Sequence, residues 1–215
     1  MDKKELAGKI DHTLLKAFAD ADSIYSLCEE AVRAGAASVC IPPCYVKEVH
    51  ERYKDRLKIC TVIGFPLGYS VTSAKAKEAE SAIEDGADEI DTVINISDVK
   101  NGRFDSVLDE LKLLKKIAGE HVLKVIIETC YLTEEEKIKL CGIVTEAGAD
   151  YIKTSTGFGS AGADITDIRL FRENIGASVK IKAAGGIRTV EEAELFVKAG
   201  ADRIGSSAVI PLLLK

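Results

Sequence analysis

Two lysines stand inside runs that otherwise have the apolar character of β-strands. Lys153 lies in Asp150-Tyr-Ile-Lys-Thr-Ser-Thr-Gly157 and Lys182 in Val179-Lys-Ile-Lys-Ala-Ala-Gly-Gly186. Lysine is depleted in strands and almost never fully buried without a partner, so each demands a reason just ahead of a glycine turn. Amine chemistry supplies one. At its reference pKa of about 10.4 the ammonium is no nucleophile, but burial and a nearby cation lower that value, and three units amount to roughly 4 kcal/mol. Lys182 is the expected neighbouring cation for Lys153, and a neutral Lys153 condenses with a carbonyl to a Schiff base. Asp91, in Glu89-Ile-Asp-Thr-Val93, is placed to move protons as a carbinolamine dehydrates and an enamine forms, directly or through one water. For either lysine alone, a structural salt bridge explains the residue as well. Two lysines and an aspartate converging on one site favour catalysis.

A second group suits phosphate. Gly185-Gly186 leads to Arg188 at a helix start, Gly205-Ser-Ser207 ends another strand-like run, and Gly157 follows Lys153 by four residues. Amides in glycine turns and at helix N-termini bind phosphate, although a Gly-Gly pair taken singly is more often a tight turn. Asp11, Thr13 and Thr156 are candidates for contact with substrate, Asp11 having the alternative of a turn residue. Cys40 is a candidate pocket thiol or an inert buried one. Glu128 closes a strand and has no assigned role beyond a cap.

The bulk composition narrows the classes. With 215 residues, 47% hydrophobic and 30% charged, the chain has the make-up of a globular protein. A formal net charge of -6 offers no general basic field for nucleic acid. The opening Met1-Asp-Lys-Lys-Glu-Leu6 contains no apolar signal core and no 18-residue apolar run follows, so a cytoplasmic protein without membrane partners is expected. The six cysteines include no C-x-x-C pair, and His12, His50 and His121 lack zinc-site spacing. Neither disulfides, a metal nor a cofactor is therefore expected.

The elements that must hold these residues show themselves as a repeat. Ala34-Gly-Ala-Ala-Ser-Val39, Asp85-Gly-Ala-Asp-Glu-Ile90, Ala147-Gly-Ala-Asp-Tyr-Ile152 and Ala199-Gly-Ala-Asp-Arg-Ile204 place a glycine between an amphipathic helix and a strand, at intervals of 51, 62 and 52 residues. Each interval holds two strand-helix units, with further strands near 9–13, 59–64, 122–127 and 179–184. Helices are expected near 22–34, 45–54, 71–85, 104–118, 133–146, 165–174 and 189–199, with a stub after 207. Thr133 with Glu136 and Thr189 with Glu192 form capping boxes. Eight strand-helix units without an early Gly-rich dinucleotide turn predict a single-domain α/β fold over residues 1–215, a (β/α)8 TIM barrel. Five residues past the repeat glycines stand Cys40, Asp91, Lys153 and Gly205, which should share one interior layer. Ser38, Glu89, Tyr151 and Arg203 should form the layer below, with Glu89 and Arg203 able to pair.

Taken together, Asp11-His-Thr-Leu-Leu15, Glu89-Ile-Asp-Thr-Val93, Tyr151-Ile-Lys-Thr-Ser-Thr-Gly157, Lys182-Ala-Ala-Gly-Gly-Ile-Arg-Thr189 and Arg203-Ile-Gly-Ser-Ser207 resemble the motif blocks of deoxyribose-phosphate aldolase, a class I aldolase, in order and over nearly the whole chain. The resemblance implies reversible, metal-independent cleavage of 2-deoxy-D-ribose 5-phosphate to D-glyceraldehyde 3-phosphate and acetaldehyde, in deoxyribonucleoside catabolism. It implies Lys153 as the Schiff-base lysine, Lys182 as the cation that lowers its pKa, and Asp91 as the proton-relay partner. Gly157, Gly185, Gly186, Arg188, Gly205 and Ser207 fall on phosphate positions, and Asp11 and Thr13 on substrate positions. A homo-oligomer is also implied. Phe158 stands where some members have a lysine, and the sequence stops at Lys215 without the tyrosine-ended tail of some members. The alternatives are a phosphate-binding isomerase or transaldolase-like enzyme, and a non-catalytic sugar-phosphate binder.

Overall fold

Eight short strands pair in chain order and close on themselves. They are β1 (Ile10–Thr13), β2 (Ser38–Ile41), β3 (Ile59–Ile63), β4 (Glu89–Val93), β5 (Val122–Ile126), β6 (Tyr151–Lys153), β7 (Lys180–Ala184) and β8 (Arg203–Ser206), each parallel to the next, with β8 returning to β1. A computed structural model describes residues 1–215.

The helices are α1 (Lys3–Ala7), α2 (Ala21–Ala34), α3 (Val46–Tyr53), α4 (Thr72–Glu84), α5 (Ile96–Lys100), α6 (Phe104–Ala118), α7 (Glu134–Glu146), α8 (Ile165–Asn174), α9 (Val190–Ala199) and α10 (Val209–Leu213). The eight helices expected from the sequence are present, with ends shifted by a residue or two. Two were not expected: α1, capped by Asp2, and α5, capped by Asn95. Five residues are too few to show a 3.6-residue period. No helix is long and apolar enough to cross a membrane.

Side chains alternate along every strand. Those turned toward the helices are largely aliphatic: Ile90, Leu123, Val125, Ile152, Ile181, Ala183 and Ile204 belong to one buried cluster with Leu111, Leu140, Phe171 and Phe196 from the surrounding helices. Both capping boxes form at Thr133 and Thr189. The four repeat glycines have φ of 69°, 99°, 71° and 119° at Gly35, Gly86, Gly148 and Gly200, the left-handed conformation in which a helix end turns back into a strand.

Candidate active site

Strand register decides which side chains meet inside the barrel. Asp91 is the partner of Lys124 on β5, Ile126 of Lys153, and Lys153 of Lys182 on β7. Lys153 and Lys182 therefore project side by side from adjacent strands toward Asp91 on the far side of β5. Their ammonium nitrogens donate to the same oxygen, Asp91 Oδ2, at 2.7 Å and 2.6 Å. The other oxygen, Oδ1, accepts from Lys124 Nζ at 2.8 Å and from the Cys60 thiol at 3.1 Å. Asp91, expected from sequence as a proton-relay partner, is the common counter-ion of three lysines. The layer holding Cys40, Asp91, Lys153 and Gly205 is as anticipated: a Cβ on Gly205 would sit 3.3 Å from Lys182 Cε.

Below it lie the acids that balance the cations. Lys124 Nζ is 2.6 Å from Glu89 Oε2 and 3.7 Å from Asp11 Oδ2, and Lys182 Nζ is 2.5 Å from Asp11 Oδ2. Arg203 pairs with Asp11 at 2.5 Å and with Glu89 at 3.3 Å, so the Glu89–Arg203 pair expected from the repeat forms. Four cations (Lys124, Lys153, Lys182, Arg203) face three carboxylates (Asp11, Glu89, Asp91). Burial works against charge on these groups, but their partners outweigh it. Lys124, Lys153 and Lys182 hold the Asp91 carboxyl well below the usual range. Asp11 is held low by Lys182, Lys124 and Arg203. Lys182 is raised by Asp11 and Asp91, and Lys124 chiefly by Asp91. The charged form of Lys182 is thus favoured beside Lys153, whose ammonium shares Asp91 Oδ2 with it.

Above this cluster opens a cavity of about 690 Å³ at the C-terminal ends of the strands. Lys153 lines it, whereas Lys124 and Lys182 do not. All six residues assigned to phosphate, Gly157, Gly185, Gly186, Arg188, Gly205 and Ser207, line the same cavity, with Thr13, Thr156 and Phe158. The amides of Gly157, Gly185, Gly186 and Ser207 donate to nothing within the chain. The amides of Arg188 and Thr189, by contrast, are taken by Glu192 in the capping box. The amides open to an anion are thus in the glycine turns rather than in the first turn of α9.

Two substrate candidates are placed otherwise than expected. Asp11 and Cys40 are fully buried and do not line the cavity. Asp11 accepts from Ser38 Oγ at 2.8 Å and pairs with Lys182 and Arg203 beneath the cavity. Cys40 lies beside Cys60 on the neighbouring strand, and its thiol is held below its ordinary value chiefly by that neighbour. Thr13 donates from Oγ1 to its neighbour Asp11 O at 2.8 Å.

One contributor, Lys124, escaped the sequence reading, and another, Glu128, was given only a cap's role. Lys124 stands in the middle of an apolar strand, the same anomaly as Lys153, but no glycine turn follows to draw attention to it. Glu128 is buried, has a left-handed φ of 44°, and accepts hydrogen bonds from both the amide and the hydroxyl of Thr156. Positive φ in a non-glycine residue is uncommon and concentrates at functional positions. Here it turns the chain so that the Glu128 carboxylate fixes the loop after β6. Histidine spacing also overlooked two groups of metal-capable atoms, Cys40 with Cys60 and Asp91, and Asp11 with Cys60 and Glu89. Asp11, Glu89 and Asp91 already bind ammonium or guanidinium groups there, and a divalent ion would add to an existing excess of positive charge.

Comparison with known proteins agrees with this geometry. Residues 1–208 match the family described as DeoC/LacD family aldolase. The chain is 56% identical over 213 residues to the deoxyribose-phosphate aldolase of Clostridium botulinum (strain Alaska E43 / Type E3), covering 99% of this chain and 96% of that one. Among solved structures, an aldolase designated QR15 is 41% identical and superposes with a TM-score of 0.93, over 98% of this chain and 96% of that one. The deoxyribose phosphate aldolase of Aeropyrum pernix, described as a tetramer, is 33% identical with a TM-score of 0.87, over 96% of this chain and 88% of that one. With a lysine pair at the barrel mouth and relatives matched over nearly its full length, the chain belongs to the DeoC/LacD family of aldolases.

Proposed function

We propose that this protein is a class I aldolase that reversibly cleaves 2-deoxy-D-ribose 5-phosphate to D-glyceraldehyde 3-phosphate and acetaldehyde through a Schiff base on Lys153. One observation carries the assignment of the nucleophile: of three lysines gathered on Asp91, Lys153 alone lines the cavity. Four cations face three carboxylates there, and the Lys182 ammonium shares Asp91 Oδ2 with that of Lys153.

The neutral amine adds to C1 of the open-chain sugar, and the carbinolamine loses water to give the iminium. A base removes the proton from the 3-hydroxyl, the C2–C3 bond breaks, and its electrons flow into the iminium to leave an enamine and free D-glyceraldehyde 3-phosphate. Protonation of the enamine carbon and addition of water then release acetaldehyde and restore the amine. The Asp91–Lys182 pair supports proton movement along this path, since both amines hydrogen-bond to Asp91 Oδ2. No step calls for a cofactor or metal.

Borohydride reduction in the presence of deoxyribose 5-phosphate tests the assignment: a reduced two-carbon adduct on the peptide bearing Lys153 is expected, and an active enzyme left unmodified overturns it. Lys153→Leu should lower cleavage by at least about a thousandfold, because losing a nucleophile removes the covalent path. The substrates are small molecules, and the protein acts in the cytoplasm as a single-domain homo-oligomer without nucleic-acid or membrane partners. The tetrameric Aeropyrum pernix relative supports assembly. Light scattering coupled to size exclusion measures it, and a monomer at assay concentration overturns that part.

A further inference from the structure

The glycine-turn amides described above supply hydrogen bonds to a phosphate but no net charge. A phosphate monoester is close to a dianion at neutral pH. Amides leave that charge without a counter-ion, and a cation facing the cavity adds a charge-assisted contact that an unphosphorylated sugar does not make. Three cationic side chains line the cavity: Lys16, Lys153 and Arg188. Lys153 is committed to Asp91 and to the covalent step. Lys16 and Arg188 are exposed and their cationic groups form no ion pair, the Glu192 carboxylate near Arg188 accepting from its backbone amide instead. They stand on loops that enter the cavity from separate strands, Lys16 after β1 and Arg188 after β7.

The loop bearing Lys16 is held in place. Leu14 N donates to Cys40 O at 2.9 Å, Ala19 N closes a turn on Lys16 O at 2.9 Å, and the Tyr45 hydroxyl donates to Ala19 O at 2.9 Å. The ammonium itself is tethered only by the face of Phe18, 5.6 Å from the ring centroid, a weak contact at an exposed site. Its backbone is therefore fixed at the cavity edge while its charge is free to engage a ligand. Along the opposite edge, Phe158 packs edge-on against Phe65 with ring centroids 5.4 Å apart and brings no charge to the loop after β6.

We infer that Lys16 is a phosphate-binding residue that, with Arg188, selects phosphorylated over unphosphorylated sugars. The inference rests on the aldolase reading for the identity of the substrate, but the anion site itself does not.

Steady-state cleavage by the wild type, Lys16→Ala and Lys16→Arg proteins separates the outcomes. In Lys16→Ala, KM for deoxyribose 5-phosphate should rise on the order of tenfold, the effect of losing one charge-assisted contact, with kcat little changed. Its kcat/KM on 2-deoxyribose should stay at the wild-type value, and Lys16→Arg should restore most of the lost affinity. An unchanged KM for the phosphate ester overturns the inference. So does an equal loss on both sugars, which would mark a structural effect. If the wild type cleaves neither sugar, the aldolase reading fails by itself. The dissociation constant for inorganic phosphate, measured by calorimetry on the same proteins, then decides: weaker binding in Lys16→Ala sustains the anion site, and equal binding overturns it.

Discussion

Lys124 is the residue on which the interior charges depend most. Its ammonium is fully buried and faces Glu89, Asp91 and, at longer range, Asp11. Lys153 touches only one of those acids, and Asp91 keeps two other lysines when Lys153 is removed. The two substitutions should therefore separate stability from chemistry. Lys124→Met removes the close partner of buried Glu89, at 2.6 Å, and leaves that acid only the longer contact with Arg203, at 3.3 Å, a loss of about 3–5 kcal/mol in urea unfolding. Lys153→Met should cost distinctly less than Lys124→Met while abolishing cleavage. Similar unfolding midpoints for the two variants would contradict this division. From the sequence, Lys153 and Lys182 were visible because each breaks the rule of its strand near a glycine turn, and Asp91 because the repeat glycines bring it into register with Lys153. Asp11 was seen as a contact for substrate or a turn residue; its place at the bottom of the charge cluster depends on how β1 meets β8, a pairing of residues nearly 200 positions apart.

At the scale of the elements, the site depends on the interlock of β7 and β8. Gly205 lies opposite Ala184, and a Cβ at Gly205 would stand 2.9 Å from Ala184 Cβ and 3.3 Å from Lys182 Cε. The first distance is too short for two carbon atoms, so Gly205→Ala must displace β7 or the lysine it carries. Misplacing a reacting group by about 1 Å costs on the order of a hundredfold in rate. The variant is accordingly expected to fold, with unchanged far-ultraviolet dichroism, and to lose kcat by roughly that factor; a wild-type kcat would mean that the lysine has slack. The layer itself was legible because the repeat glycines put Cys40, Asp91, Lys153 and Gly205 at one register, and strand alternation then sets their common direction. The odd-numbered strands lack such a marker, which is why Cys60 and Lys124, both in contact with Asp91, went unnoticed. Glu128 was hidden for another reason: its role follows from a backbone angle, and nothing in Ile127-Glu-Thr-Cys130 announces a left-handed residue.

For the whole molecule, the distribution of polarity is the reverse of the usual one. Barrel interiors of this kind are commonly filled by branched aliphatic side chains, but here the inward layers hold seven acidic and basic side chains while the aliphatic core lies between strands and helices. Stability should then follow the titration of the interior. Asp11 and Asp91 have folded pKa values below their unfolded ones, which lie near 3.9. Their contribution is complete above about pH 4 and is lost as the pH falls through the depressed folded values. Lys124 and Lys182 are raised above an unfolded value of about 10.4, so their contribution is complete below that pH and is lost as the pH climbs through the raised ones. The cluster is thus neutral to pH from about 5 to 9, and it is shielded from added salt by its burial. Urea midpoints measured across pH 3 to 10 should show a broad plateau with a fall beginning near pH 4. Burial alone would have the opposite sign, raising the carboxyl pKa values and making the protein more stable as the pH drops from 6 toward 4. A midpoint that rises over that interval would show that desolvation, rather than the shared lysines, governs the acids beneath Lys153.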